Sequence, residues 1–226
     1  MIRIEHLSKS YGKFQVLNDI NLVFEEGKTY GIVGENGAGK TTLFKCIAGI
    51  EKYEGTITAD IMPVKDHTGF LQTEPYFLPR ITGREYIQLL CNARNTKPGD
   101  VDAKNIFNLP LDKYAMGYST GMKKKLAFFA IMLQENRYFI LDEPFNGVDI
   151  EGNIIIMEIL RELKRLEKTV IIASHIFSTL SDSCDQIHLL SESSISRSVS
   201  KDSFSMLETE MKEKTIRQHI GRLGLR

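Results

Sequence analysis

The sequence has little cysteine, no excess of either charge and no long apolar run, and each absence removes a class of protein. Three cysteines, Cys46, Cys91 and Cys184, are scattered over 226 residues with no CxxC pair and no histidine in ligand register. An odd, dispersed count fits free thiols in a reducing compartment rather than a disulfide framework or a zinc site. Lys+Arg and Asp+Glu both number 29, for a formal net charge of zero. Proteins that live on nucleic acid carry a basic excess that releases counterions, so this balance leaves room only for a local patch. The longest apolar run, Leu126 to Leu133, has eight residues, whereas a bilayer span needs about 20. The opening stretch MIRIEHLSKSYG is charged and interrupted, unlike a signal peptide. No internal repeat is present, and compositional bias is confined to Ser191 through Ser205.

What is present suits a folded α/β domain. At 42% hydrophobic the chain can bury a sizeable core. Three short, bulky runs, Thr29 to Val33, Tyr138 to Leu141 and Val170 to Ala173, have the continuous character of parallel strands buried on both faces. Each stops abruptly in Gly34-Glu35-Asn36, Asp142-Glu143 or Ser174-His175. Ligands of open α/β sheets sit beyond the carboxyl ends of the strands, so these three sets are expected to meet in one crevice. The roughly 100 residues between the first two runs read as mostly helical. Thr82-Gly83-Arg84-Glu85 has capping-box spacing. Met122, Leu126, Phe129, Ala130 and Leu133 recur at helical spacing, as do Ile155, Ile159, Leu163 and Leu166. Helix after strand argues βαβ crossovers, with residues 75–130 as an inserted helical lobe. Ile216, Ile220 and Leu223 predict one face of a last helix, docked on the chain's own core or, as the alternative, meeting a partner.

The sharpest motif is Gly34-Glu35-Asn36-Gly37-Ala38-Gly39-Lys40-Thr41, a GxxxxGK[ST] pattern between a strand and a helix. Glycines let the backbone wrap with its N–H groups toward phosphate oxygens, and the helix that follows offers its positive end. Lys40 is a point charge for the β and γ phosphates, and Thr41 supplies a hydroxyl to Mg²⁺. Asp142 and Glu143 end the second strand, about 100 residues later. Asp142 is placed to meet the magnesium, and Glu143 to polarise an attacking water. The guanine-reading [NT]KxD motif is missing, because Gly99 stands in Thr96-Lys97-Pro98-Gly99 where the Asp belongs. No arginine cluster exists to build the lid of a small-molecule kinase.

Six motifs in order make the pattern resemble the nucleotide-binding subunit of an ATP-binding cassette (ABC) transporter, from residue 11 to residue 175. The resemblance implies that Tyr11, 29 residues before Lys40, stacks on adenine, with Val16 and Thr42 also at the nucleotide. It implies that Gln72, in GFLQTEP, touches the metal and senses a membrane partner. YSTGMKKKL, residues 118 to 126, stands where the family signature LSGGQ belongs, so Ser119, Thr120, Gly121 and Met122 would meet the ATP of a partner subunit. Asn146-Gly147-Val148-Asp149 matches the SGLD loop, with Asp149 as its aspartate. His175 matches the switch histidine at the γ-phosphate and joins Lys40 and Glu143 as catalytic.

What the resemblance implies for the whole chain is a P-loop NTPase core with a parallel central sheet, an antiparallel β subdomain near the N-terminus and an inserted helical lobe. Residues 1–226 would form one ABC ATPase domain: 1–74 and 131–200 the core with the β subdomain, 75–130 the lobe, and 201–226 a tail. The expected activity is Mg²⁺-dependent ATP hydrolysis by a dimer, a homodimer by expectation, that clasps two ATPs. The partners would be separate transmembrane permease subunits, with no nucleic acid, and the place the cytoplasmic face of the cell membrane. Tyr118, Thr120 and Met122 depart from LSGGQ and are similar to exporter subunits of the drug, antibiotic or polysaccharide type. Lys123 to Lys125 are expected to line the first turn of the signature helix and meet solvent or a partner. Tyr76, Phe77 and Leu78 are expected at the membrane-subunit contact or in lobe packing. An ABC-type ATPase of a soluble assembly or maintenance complex is the competing expectation.

Overall fold

The computed structural model describes residues 1–215; Ile216, Ile220 and Leu223 of the expected last helix lie outside the described residues. The first strands, Ile2–Tyr11 (β1) and Phe14–Phe24 (β2), pair antiparallel. With Glu54–Ala59 (β4) they form a three-stranded sheet in the order β2-β1-β4. The six-stranded central sheet has Thr29–Val33 (β3), Thr68–Leu71 (β5), Tyr138–Asp142 (β6), Thr169–Ala173 (β7), Gln186–Ser191 (β8) and Ser194–Ser200 (β9). Its order is β5-β6-β7-β3-β8-β9, parallel from β5 to β8 with β9 antiparallel at the edge.

Helices Lys40–Ile47 (α1), Gly83–Asn92 (α2), Thr120–Met132 (α3), Ile150–Arg165 (α4), Phe177–Ser183 (α5) and Phe204–Thr215 (α6) complete the domain. The three expected strands are present, and every residue of β3, β6 and β7 is buried. Their side chains alternate between two cores, as period-2 geometry requires. Tyr138, Ile140, Ile171 and Ala173 pack with α1 and the small sheet. Phe139, Leu141, Val170 and Ile172 pack with α2, α3, α4 and α5.

Several sequence expectations need correction. The interval between β3 and β6 is not mostly helical: it holds β4 and β5, and residues 93–119 carry only the 3₁₀ turn Ala115–Gly117. That stretch is held instead by buried Val101, Phe107, Leu109 and Leu111 and by Arg84, which bonds Asp102 at 2.9 and 3.0 Å and Asp112 at 2.8 Å. On α4 the buried stripe is Gly152, Ile156, Leu160 and Leu163, with Ile155 and Ile159 at its margin. Leu166 is the C-cap and 51% exposed, because the chain turns there. α3 has no apolar stripe at all: Leu126 to Ile131 are all buried, the pattern of a helix covered all round. The capping box on α2 forms as read: Thr82 Oγ1 accepts from Glu85 N at 3.2 Å, and Glu85 Oε2 accepts from Thr82 N at 2.8 Å.

Candidate nucleotide site

The loop 34–39 leaves β3 and enters α1 at Gly39, whose φ of 106° is a conformation side chains rarely adopt. A Cβ there would also lie 2.9 Å from Leu17 Cδ2 and 3.0 Å from the Val16 carbonyl. The loop is therefore pressed onto β2, and Val16 stands beside it. Lys40, 8% exposed, donates to the Gly34 carbonyl at 2.7 Å and the Glu35 carbonyl at 3.1 Å. Burial pulls its pKa below the ordinary lysine range, against the pull of Glu143 and Asp142.

Asp142 and Glu143 lie at the carboxyl end of β6, with Asp142 within hydrogen-bond distance of Thr41. Asp142 Oδ2 accepts two hydroxyl hydrogen bonds, from Thr41 and from Thr73, both at 2.7 Å. Glu143 has a φ of 52°, a left-handed conformation that costs a non-glycine residue about 1–3 kcal/mol and that clusters at functional sites. Its backbone N–H is tied to the Ala173 carbonyl of β7 at 3.0 Å. Its Oε2 accepts from His175 N at 3.2 Å, and His175 Nε2 stands 3.1 Å from Oε1, without hydrogen-bond alignment. Burial raises the Glu143 pKa, with His175 and Lys40 opposing it. The ends of β3, β6 and β7 thus meet as the sequence led us to expect, and the end of β5 adds the Thr73 hydroxyl, so that an ammonium, two hydroxyls, two carboxylates and an imidazole lie in one place.

The second group of residues sits at the start of α3. Ser119 is its N-cap, and Oγ accepts from Met122 N at 3.2 Å. Thr120, Gly121 and Met122 are its first turn, so Gly121 lies within the helix rather than ahead of it. A Cβ on Gly121 would fall 2.4 Å from the Gly147 carbonyl oxygen, so any side chain there forces that loop to shift. Tyr118 is buried and donates to the Pro110 carbonyl at 2.7 Å. The three lysines do not share one environment, contrary to the solvent-facing row expected of them. Lys123 is partly exposed. Lys125 pairs with Asp149 at 2.7 Å. Lys124 is 1% exposed, with burial pushing its pKa down to about 8 against Asp142 and Glu143.

Comparison with known proteins decides the family. The family model described as ABC transporter matches residues 17–146. The bacitracin transport ATP-binding protein BcrA of Enterococcus faecalis is 34% identical over 85% of this chain and 67% of its own length. The lantibiotic transport ATP-binding protein SrtF of Streptococcus pyogenes is 29% identical over 86% of this chain and 89% of its own. The chain belongs to the ABC transporter family. Among solved structures, a dimeric ATP-binding cassette in a post-hydrolysis state with ADP and Pi has the same fold, with a TM-score of 0.79 at 20% identity, covering 89% of this chain and 99% of that one.

In this ABC ATPase domain, Tyr11 stands at the edge of the P-loop helix, its hydroxyl within reach of Thr42 and Glu51. Lys9 Nζ lies 4.7 Å from the Tyr11 ring centroid and bonds Glu51 at 3.0 Å, fixing the ring from below. Asp149 caps α4 through Gly152 N at 2.8 Å, and the Lys125 ammonium holds its carboxyl below the usual range. Phe77 is 4% exposed and packs on Tyr86, ring centroids 4.5 Å apart, while Tyr76 and Leu78 are 70% and 46% exposed. Phe77 therefore belongs to lobe packing and leaves the expected contact surface. Two residues escaped the sequence reading. Thr73, the neighbour of Gln72, supplies a hydroxyl to Asp142, and Lys124 was concealed in a run of identical residues. No helix among the described residues is long and apolar enough to cross a membrane.

Proposed function

We propose that this chain is the ATP-hydrolysing subunit of an exporter, working as a homodimer that clasps two ATPs beneath separate transmembrane permease subunits on the cytoplasmic face of the membrane. The observation that carries the hydrolytic reading is the shared Asp142 carboxylate, held by the Thr41 and Thr73 hydroxyls at 2.7 Å beside the Glu143–His175 pair. Among the described residues no group of three or more His, Cys, Asp or Glu could hold a metal alone. That donor set fits Mg²⁺, which takes one or two carboxylates and completes its shell with waters and substrate phosphates. Thr41 and Asp142 would hold it, with Gln72 nearby in sequence to Thr73. When bound, it neutralises charge on the phosphate oxygens.

The chain's own residues account for the remaining chemistry. Backbone N–H groups from Gly34 to Thr42 and the Lys40 ammonium hold the β and γ phosphates. Tyr11 and Val16 flank the base. Glu143 accepts a proton as a water oxygen bonds to the γ phosphorus and the bond to the β-phosphate oxygen breaks, leaving ADP and phosphate. Burial that raises the Glu143 pKa makes it a stronger base. His175 orients that carboxylate through its backbone N–H, with its ring Nε2 3.1 Å from Oε1. Ser119, Thr120, Gly121 and Met122 complete the partner's ATP site at the N-terminus of α3, where anions are favoured, and Asp149 anchors the adjoining loop.

We assign residues 75–130 to the lobe that meets the membrane chains, with exposed Tyr76 and Leu78 at the contact. The relatives named for bacitracin and lantibiotic transport support a role in transport. The test is the solution mass of Glu143→Gln by light scattering, with and without Mg-ATP. We expect monomers that pair only with ATP; a variant that binds ATP and stays monomeric overturns the homodimer.

A further inference from the structure

Lys124 is the most deeply buried lysine of the chain's described residues, and nothing in ATP binding requires it. It rises from the second turn of α3 and gives all its donors to main-chain carbonyls. Nζ is 3.0 Å from the Gln72 oxygen, 2.5 Å from the Thr73 oxygen and 3.4 Å from the Asp142 oxygen. An ammonium has three donors and no acceptor, so these carbonyls consume its capacity. Burying a charge is costly, and an apolar side chain of similar volume would fill the same space without that cost. The charge therefore serves position: it fixes two segments, Gln72-Thr73 and the end of β6, against one helix.

Both segments reach the chain's own site. Thr73 is held twice, its carbonyl by Lys124 and its hydroxyl on Asp142. Lys124 also reaches the Asp142 carbonyl directly. Five residues earlier on the same helix stands Ser119, the N-cap, about 7 Å away along a rigid axis. We infer that Lys124 is a positioning residue that couples the two ATP sites of a dimer, passing movement of the signature turn on the partner's nucleotide to Gln72, Thr73 and Asp142 of its own. The inference rests on the two-ATP arrangement proposed above. A helix that shifts as a body by even 1 Å would break bonds set at these lengths, so the own site can register whether the partner's is filled.

The experiment is the ATP dependence of hydrolysis by the full chain, for the natural protein and for Lys124→Met and Lys124→Arg, beside light scattering of Glu143→Gln. We expect a Hill coefficient near 2 for the natural protein, about the number of sites. Lys124→Met should fall to about 1, with ATP affinity of the monomer within about 2-fold, and Lys124→Arg should recover part of the difference. A role in stability alone would lower the melting temperature and kcat and leave the coefficient unchanged. That result overturns the inference, as does a natural protein that hydrolyses without cooperativity although Glu143→Gln dimerises. A Glu143→Gln variant that does not dimerise overturns the two-ATP reading itself, and the inference with it. If Lys124→Met does not fold, Lys124→Gln, with two donors, is read in the same way, and an unchanged coefficient overturns the inference.

Discussion

Two buried lysines organise the two halves of this cassette, and they are held by the same chemistry. Lys40 gives its ammonium to the Gly34 and Glu35 carbonyls, and Lys124 gives its own to those of Gln72, Thr73 and Asp142. Burial lowers both pKa values. The difference lies in the reach of the contacts. Lys40 bonds residues five and six positions away, inside its own loop. Lys124 bonds residues 18 to 52 positions away, across three elements. The Lys40 ammonium closes its own turn, although the loop around it also rests on β2 and on Asp142. The signature half acquires its order from the rest of the domain.

The strongest way to break that contrast is at Lys40. Lys40→Met removes the one cation of the P-loop together with its bonds to the Gly34 and Glu35 carbonyls, and leaves the contacts of the loop with β2 in place. With Lys40 on the γ phosphate as proposed, loss of its charge should lower kcat by about 10³-fold, ~4 kcal/mol, while the melting temperature barely moves. A variant that loses stability in proportion to activity would show that Lys40 supports the fold as Lys124 does, and the contrast would fail.

A smaller effect separates the lobe's inside from its surface. Phe77→Ser removes a ring that packs on Tyr86 in the main core, and should cost about 3 kcal/mol of stability by the usual range for emptying a buried aromatic site. Tyr76→Ser, at a 70% exposed position, should change stability by less than ~0.5 kcal/mol. Thermal denaturation of the two variants decides it. Equal losses would mean that Tyr76 is packed as Phe77 is, and that no exposed contact surface exists there.

The same division explains which residues the sequence made legible. The P-loop, Asp142 and Glu143 carry requirements that neighbours in the chain satisfy: glycines for a turn, a lysine, a hydroxyl, an acidic pair after an apolar strand. Tyr11, Gln72 and His175 needed the order of motifs, since each alone is ordinary. Lys124 could not be read, because its neighbours Lys123 and Lys125 have the same side chain and only packing decides which of three points inward. Phe77 is hidden for the same reason between two exposed residues. β5 and β8 went unread because short strands give too little pattern against a helical background. β9 lies inside the serine-rich stretch, where periodicity is weak. On α4 the stripe was placed about one residue off, which a period of 3.6 does not resolve in so few turns.

The sharpest comparison of the two halves is between their glycines. Gly39→Ala would meet a forbidden φ of 106° and Leu17 at 2.9 Å, so both terms are unfavourable. Gly121 lies in α3, where alanine is preferred by about 1 kcal/mol. Its Cβ would nonetheless meet the Gly147 carbonyl at 2.4 Å, and overpacking of that kind costs about 1–3 kcal/mol. The net loss for Gly121→Ala should therefore be about 1 kcal/mol, read from chemical denaturation. Gly117, with nothing within 4 Å of its Cβ, is the control and should be neutral. The clash is with main chain, so the loop 146–149 must shift from α3 to admit the methyl. That movement carries Asp149 with it, so the same variant should lose ATP-induced pairing in the Glu143→Gln background although its fold is nearly intact. If pairing survives, the contact between Gly121 and Gly147 serves packing alone, and the signature turn tolerates displacement that the P-loop does not.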